Sequence, residues 1–573
     1  MIEKILKNKY YITLFFILIL AAFLRFYMLG SIPSGLTNDE AGVGWDAYSI
    51  LQTGRDQWNQ FLPLHFIAFG DYPAPLLRYL TVPSILVFGL NSFAIRFPSA
   101  LFGVISVLLI FFLGKKLFNE KIGLLASFLL AISPWAIGLS RVTIEPNIAI
   151  TIFLFAFFIY LNSLKKINYL YISALLFALV LYTYSAYVLF LPLVAGLLML
   201  WNKKTVFKNY KQYLISFILF VLILAPNFLT KNTTAGVRFS QVGIISNTNS
   251  IGLINTLNDE RGVCQKSYSP IICKIADNKI FLFTSTFSKN YIAHFNINLL
   301  YNNGTDTQYS ILPQRGLDYV FGVLLLLLGL IRIFKYKDKN GFLIILLLLI
   351  APIPDSLTGA GHYGRASIMI PFFLMIEGIG LFYLIELISR LNNGYIKRLS
   401  YIFISLIVFF SVFIFWINYT TYFKNYYSLY SQYGYEDLMK TVFSQKNKYD
   451  KIYISRHLND TKQYIYYLVY SKYDPVKFQN KKNIAYSYGS DGWASIDRID
   501  NVYFVQNLPT VSSSSAQMNY TALFISNPVD FPKSVKPVFT VKDKLGNVLF
   551  EAIRASDLLE YEKSQEQLNL NKV

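Results

Sequence analysis

Apolar runs decide what this chain can fold into. They lie near 10–29, 92–114, 122–140, 147–164, 168–184, 186–201, 212–229, 317–333, 341–354, 367–388 and 400–418, and most approach the roughly 17 to 25 residues that carry a helix across a bilayer. Inside hydrocarbon a backbone must satisfy its own hydrogen bonds, so such runs become helices. A 573-residue chain with 54% hydrophobic and 15% charged residues, and a mean hydropathy of +0.42, is too apolar for a soluble protein. The expected fold class is a polytopic α-helical membrane protein of about eleven transmembrane helices. The weakest runs are 168–184 and 186–201, which share almost no loop, and the short 341–354.

The formal charge of +20 does not point to nucleic acid, because the basic residues fall in short gaps between apolar runs rather than on a basic and aromatic surface. The clusters Lys4/Lys7/Lys9, Lys115/Lys116/Lys121, Lys165/Lys166, Lys203/Lys204/Lys208/Lys211, Arg332/Lys335/Lys337/Lys339 and Arg390/Lys397/Arg398 occupy every second connection. The positive-inside rule places them, and the N-terminus, in the cytoplasm. An odd number of spans then leaves the C-terminus outside. No small-x-small cleavage site follows the first run, so it reads as a retained signal anchor. Arg25, near its outer end, fits either a side chain snorkelling to the interface or a charge beside a polar headgroup site.

Residues 1–420 form the expected transmembrane domain. Within it, 30–91 are a first outer loop whose apolar stretches Trp45–Leu51, Phe61–Phe69 and Leu76–Leu90 are broken by Pro63, Pro73, Pro75 and Pro83, a pattern for short interfacial helices. Residues 230–316 are a larger polar outer loop holding both cysteines, Cys264 and Cys273, a disulfide candidate outside the cytoplasm. Residues 421–573 lose the long apolar runs. Strands are expected at 449–455, 501–505 and 522–526, a helix at 461–473, and a hairpin over 538–553 turning at Lys544-Leu-Gly-Asn547, together a soluble extracytoplasmic α/β domain.

There is no phosphate-binding P-loop, dinucleotide glycine fingerprint, HExxH or GxSxG, so ATP-driven transport, hydride transfer and common hydrolase layouts lack their signatures. What remains is a set of polar groups assigned to the same outer compartment. Asp39 and Glu40 lie in the first loop, Asp71 in Gly70-Asp-Tyr-Pro-Ala-Pro75, Arg141 and Glu145 in Ser140-Arg-Val-Thr-Ile-Glu-Pro146, and His362 and Arg365 in Gly361-His-Tyr-Gly-Arg365. Each has a bland reading. Asp39 or Glu40 suits the N-terminus of a helix beginning near Ala41, Glu145 precedes a first-turn Pro146, and Arg141 and Arg365 suit interfacial anchors.

The order of these features resembles the GT-C glycosyltransferases, and within them the protein O-mannosyltransferase and lipid A aminoarabinose transferase group. The likeness covers roughly residues 1–420. It rests on the acidic pair after the first run, Asp71 before a Pro-rich segment, Arg96-Phe-Pro-Ser-Ala-Leu-Phe-Gly103 and Ser133-Pro-Trp-Ala-Ile-Gly-Leu-Ser-Arg141. It continues through Leu181-Tyr-Thr-Tyr184, the stretch Phe295–Asp306, and Pro352-Ile-Pro-Asp-Ser-Leu-Thr358 with Arg365.

The resemblance implies a sugar donor linked to polyprenyl phosphate and transfer with inversion to a hydroxyl on protein, glycan or lipid, in a bacterial or archaeal cell membrane. It implies Asp39 as base, Glu40, Asp71 and Glu145 as acceptor or sugar contacts, and Arg141 then Arg365 as donor-phosphate ligands. A lysine that some relatives carry beside an acid is absent at Asp71-Tyr72. Some GT-C enzymes use a divalent ion, but no metal-ligand spacing is evident here. An O-antigen ligase or polymerase and a lipid-linked sugar flippase are the alternatives; a transporter would place ionisable residues at mid-membrane depth.

Overall fold

The computed structural model describes residues 9–229, 247–302, 315–359, 364–426, 432–456, 462–488, 494–509 and 521–570. Helices occupy all eleven apolar runs, but only some match the bilayer. Among the described residues seven helices are long and apolar enough to cross a membrane, and eight if one bent pair counts as a single span. The helices Tyr169–Thr183 and Phe321–Lys335 have 15 residues each, about 22 Å at 1.5 Å per residue, short of a hydrocarbon core of about 30 Å. The run 186–201 is a 3₁₀ turn at Ser185–Val188 followed by the 12-residue helix Phe190–Trp201. Apolar residues continue through turns, so several runs give helices shorter than the run itself. The chain is an integral membrane protein.

Contacts divide it into two interleaved units, one of residues up to Tyr27, 71–77 and 99–419, the other of 28–70, 78–98 and 420–573. The first outer loop thus groups largely with the C-terminal residues.

In the first unit the helices Phe321–Lys335 and Ile370–Ser389 meet at glycines. A Cβ added at Gly380 would fall 1.8 Å from the Leu325 carbonyl oxygen, and one at Gly329 would fall 2.1 Å from that of Ile376. Small residues permit this approach, which is how helices gain packing where lipid supplies no hydrophobic drive.

The run 122–140 is a broken helix, Glu120–Ile132 and Pro134–Arg141, bent by 58°. Pro134 cannot donate to the turn before it, and Ser133 caps the new helix with its hydroxyl accepting from Ala136 N at 3.5 Å. A break inside a bilayer must still satisfy its carbonyls. Leu129 O accepts from Ser133 N at 2.8 Å, and Ile132 O accepts from the Tyr319 hydroxyl at 3.0 Å. Leu130 O and Ala131 O accept from the Arg25 guanidinium at 3.1 and 3.0 Å. Arg25 is fully buried, so it does not snorkel; it fills the gap that Pro134 opens.

The polar loop between the seventh and eighth runs contains Asn247–Cys264, Pro270–Ala276 and Lys279–Ala293, and a disulfide joins Cys264 to Cys273.

The second unit is built on a seven-stranded sheet: β1 Lys451–Ser455, β2 Ile484–Tyr488, β3 Ala494–Ile499, β4 Val502–Val505, β5 Ala522–Ser526, β6 Phe539–Lys542 and β7 Val548–Arg554, in the order β2-β3-β4-β1-β5-β7-β6. The strands β4, β1 and β5 are parallel, and the outer pairs are antiparallel. Parallel strands are covered on both faces, and alternation along β1 and β5 shows how. Ile452, Ile454, Leu523 and Ile525 join one core, while Tyr453, Ala522 and Phe524 join the other. The expected strands at 449–455, 501–505 and 522–526 and the hairpin over 538–553 correspond to β1, β4, β5 and β6–β7, and the structure adds β2 and β3.

The first of these cores includes Ala41, Trp45 and Ala47 of the helix Asn38–Thr53, packed with the helix Tyr464–Tyr470. That first-loop helix, expected at the membrane interface, is instead buried in the α/β unit, with Trp45 fully enclosed. The Pro-rich stretch after it yields one further helix, Leu76–Phe88, with Leu86 and Val87 exposed.

Candidate functional site

Asp39 and Glu40 occupy the first turn of Asn38–Thr53, and the structure gives the neighbours opposite environments. Thr37 caps the helix by accepting from Glu40 N at 3.2 Å, and Glu40 returns the contact by accepting from Thr37 N at 3.0 Å. This is a complete capping box. The Glu40 carboxylate, fully buried, also binds Arg96 through Nε at 2.8 Å and Nη2 at 2.9 Å, a bidentate pair. Arg96 donates further to the carbonyls of Leu29, Pro33 and Gly35 at 3.2, 2.8 and 2.6 Å. One arginine therefore ties the entering loop to the cap. Asp39, one residue earlier, is exposed.

In the same unit Asp46 pairs with Arg78 at 2.9 Å, both buried. Burial, with the charge of Asp46 in addition, pushes the Asp56 carboxyl up to about 7, although it accepts from Gln60 N and Trp58 N.

The remaining candidates belong to the first unit. Arg141 ends the helix Pro134–Arg141 and is fully buried. It donates to Leu24 O, Arg25 O and Tyr27 O at 3.0, 3.1 and 2.7 Å, and its guanidinium lies 5.3 Å from the Tyr419 ring centre. These carbonyls close the end of the helix Lys9–Phe26. The two arginines thus cap each other's helices, Arg25 the broken one and Arg141 the first one. The outer-edge cation expected at the donor phosphate is occupied in the fold.

Arg365 differs. Its Nε donates to Asp355 Oδ1 at 2.7 Å, and its side chain keeps 24% of its surface exposed while Asp355 keeps none. The other carboxylate oxygen of Asp355 meets His294 Nε2 at 2.8 Å, and His294 Nδ1 meets Asn290 O at 2.8 Å. Tyr184, at the end of Tyr169–Thr183, lies within electrostatic range of Arg365, Glu145 and Asp355. Glu145 opens the helix Glu145–Ser163, half-buried.

The structure therefore joins Arg365 to Asp355 and His294, with Tyr184 within electrostatic range of Arg365, Asp355 and Glu145. Asp71 is half-buried, with Oδ1 accepting from Tyr72 N at 2.8 Å. His362 and residues 303–314, which include the end of the stretch Phe295–Asp306, lie outside the described residues.

Reading the sequence alone missed Asp355, His294 and Arg96. Asp355 stands inside the quoted stretch Pro352–Thr358, so a signal was present, but His294 is 61 residues away from it and no local pattern joins them. Among the described residues no group of three or more His, Cys, Asp or Glu could hold a metal ion.

In fold the chain is similar to the GT-C membrane glycosyltransferases, and part of its sequence matches a mannosyltransferase family model. Residues 71–229 match the dolichyl-phosphate-mannose-protein mannosyltransferase family. Over 175 residues the chain is 27% identical to YkcB of Bacillus subtilis (strain 168), for which a mannosyltransferase activity has been proposed; the match spans 30% of this chain and 23% of that relative's length. Among solved structures, ArnT from Cupriavidus metallidurans in its apo state aligns with a TM-score of 0.52 at 11% identity, covering 95% of this chain and 98% of that one. The same protein bound to undecaprenyl phosphate aligns with a TM-score of 0.52 at 10% identity over the same shares. At that identity the likeness speaks for the fold.

Proposed function

We propose that this protein transfers a sugar, with inversion, from a polyprenyl-phosphate donor to a hydroxyl acceptor at the outer face of the membrane. The observation that carries the reading is the contrast between adjacent carboxylates. Glu40 is consumed by the cap and by Arg96, which holds the loop rigid, and this leaves Asp39 on the exposed side of an ordered turn. A base needs that combination of fixed backbone and reachable carboxylate.

In the proposed reaction the acceptor oxygen attacks the anomeric carbon as its proton passes to Asp39. The bond from that carbon to the phosphate oxygen breaks, and polyprenyl phosphate leaves with the electron pair. A phosphate leaving group has no need of a general acid, but its charge needs a cation. Arg365, partly exposed, takes that part; Arg141, first choice from sequence, holds helix ends instead. Glu145 and Asp71 contact the sugar or acceptor, and Glu40 serves by supporting Asp39. The isoprenoid tail, at about 0.8 kcal/mol per buried methylene, keeps the donor in the bilayer, so the enzyme works from within it.

The test incubates the purified protein with radiolabelled polyprenyl-phosphate sugars and cell-envelope fractions. Label should pass to protein, glycan or lipid, and Asp39→Asn should lower the rate by about 100-fold or more with an unchanged melting temperature. Full activity in Asp39→Asn would remove the base assignment, and no transfer from any donor would remove the enzyme reading.

A further inference from the structure

We propose that Asp355 and His294 form a buried positioning device that aims Arg365 at the phosphate of the lipid-linked donor. This rests on the reading of Arg365 as the phosphate ligand and extends it to two residues with no assigned role.

Asp355 and His294 are both wholly enclosed, with side-chain exposures of 0%, yet both are polar and ionisable. A buried carboxylate is costly unless paired. Asp355 is paired on each oxygen, to Arg365 Nε at 2.7 Å and to His294 Nε2 at 2.8 Å. His294 in turn has an oxygen on each ring nitrogen, the Asp355 carboxylate on one and the Asn290 carbonyl on the other.

A guanidinium on a flexible stem loses rotamer freedom when it binds an anion, and fixing it beforehand removes that cost. Three features of the fold do the fixing. The carboxylate engages the Nε edge, which sets the plane of the guanidinium. Asp355 itself sits in the short helix Ile353–Ser356, whose last carbonyl accepts from Asn290 Nδ2 at 3.0 Å. His294 closes the helix Lys279–Ala293, and its ring is tied to that helix at Asn290 O. Asn290 and His294 thus join one helix to the segment that holds Arg365. The exposed part of the assembly is cationic and the anionic part is sealed, an arrangement suited to a phosphate.

The experiment measures binding of farnesyl phosphate and of farnesol, which has the same tail without the anion, to the full-length protein in detergent. Asp355→Asn keeps the shape and removes the charge. It should weaken farnesyl phosphate binding on the order of 10- to 100-fold, as misplaced binding groups do, and leave farnesol binding unchanged. Arg365→Ala should do the same, and the double variant should bind no more weakly than Arg365→Ala alone, since Asp355 acts through Arg365.

Equal loss of both ligands in Asp355→Asn, or losses that add in the double variant, would overturn the positioning role. If Asp355→Asn does not fold, His294→Asn in the same cycle with Arg365→Ala decides by the same criteria. Should Arg365→Ala leave farnesyl phosphate binding intact, the phosphate reading itself falls. If it weakens binding while Asp355→Asn does not, only the positioning role falls.

Discussion

Adjacent residues can carry opposite consequences when mutated. Glu40 and Arg96 form a buried bidentate pair that also holds three loop carbonyls. Breaking one partner of such a pair strands the other, at about 3 to 5 kcal/mol. Arg96→Met should therefore lower the melting temperature sharply, whereas Asp39→Asn, at an exposed position, should remove turnover and leave the melt alone. A pair of thermal melts and rate measurements separates the two effects, and a stable Arg96→Met protein would show that the loop does not depend on the pair.

Asp56 gives the residue scale a pH dependence. Its carboxyl is pushed up to about 7 in the folded state, chiefly by burial. A raised carboxyl pKa means the folded state holds its proton more tightly than the unfolded chain, so folding is favoured at low pH and loses stability as pH rises through about 7. Melting temperatures recorded from pH 5 to pH 8 should fall across this window, and Asp56→Asn should flatten the fall. An identical slope in the variant would assign the dependence to another group.

At the scale of elements, the two glycine contacts between Phe321–Lys335 and Ile370–Ser389 fix how near those helices lie. Gly380→Ala would place a Cβ within 1.8 Å of a backbone carbonyl, and backbone cannot move aside as a side chain end can. Overpacking costs typically about 1 to 3 kcal/mol, so a lower melting temperature and lower yield of folded protein in detergent are expected. A wild-type melt would mean that the helices separate without cost. The broken helix follows the same logic in polar terms. Pro134 released carbonyls inside an apolar layer, and Arg25 and Tyr319, distant in sequence, were recruited to bond them.

For the whole molecule, the α/β unit is assembled from three separate pieces of chain. Trp45 and Ala41 contribute to the same core as Ile452, Leu468 and Phe504. A fragment of residues 421–573 lacks that helix and would expose the surface it covers. Expressed alone it should fail to give a cooperative thermal transition, as followed by circular dichroism. A sharp two-state melt of the fragment would show that the C-terminal residues form an independent domain.

Much of the architecture was legible from local signals. Apolar run length marked the membrane helices, and short apolar runs bounded by polar residues marked β1, β4 and β5. Those features depend on neighbours within a few residues, so the sequence suffices for them. It also put Asp39 and Arg365 among the candidates, through the compartment assigned to their loops, and a family resemblance implied their roles.

What the sequence could not determine was which polar groups are consumed by the fold. Arg141 and Arg365 look alike in the chain, yet one is buried on three carbonyls and the other keeps part of its surface exposed. Glu40 and Asp39 look alike, and only tertiary contact with Arg96, 56 residues away, separates the buried carboxylate from the exposed one. Hydrogen-bond satisfaction in a dry interior is settled by partners distant in sequence. The tertiary structure therefore decided which charges are buried in holding the protein together and which keep part of their surface exposed.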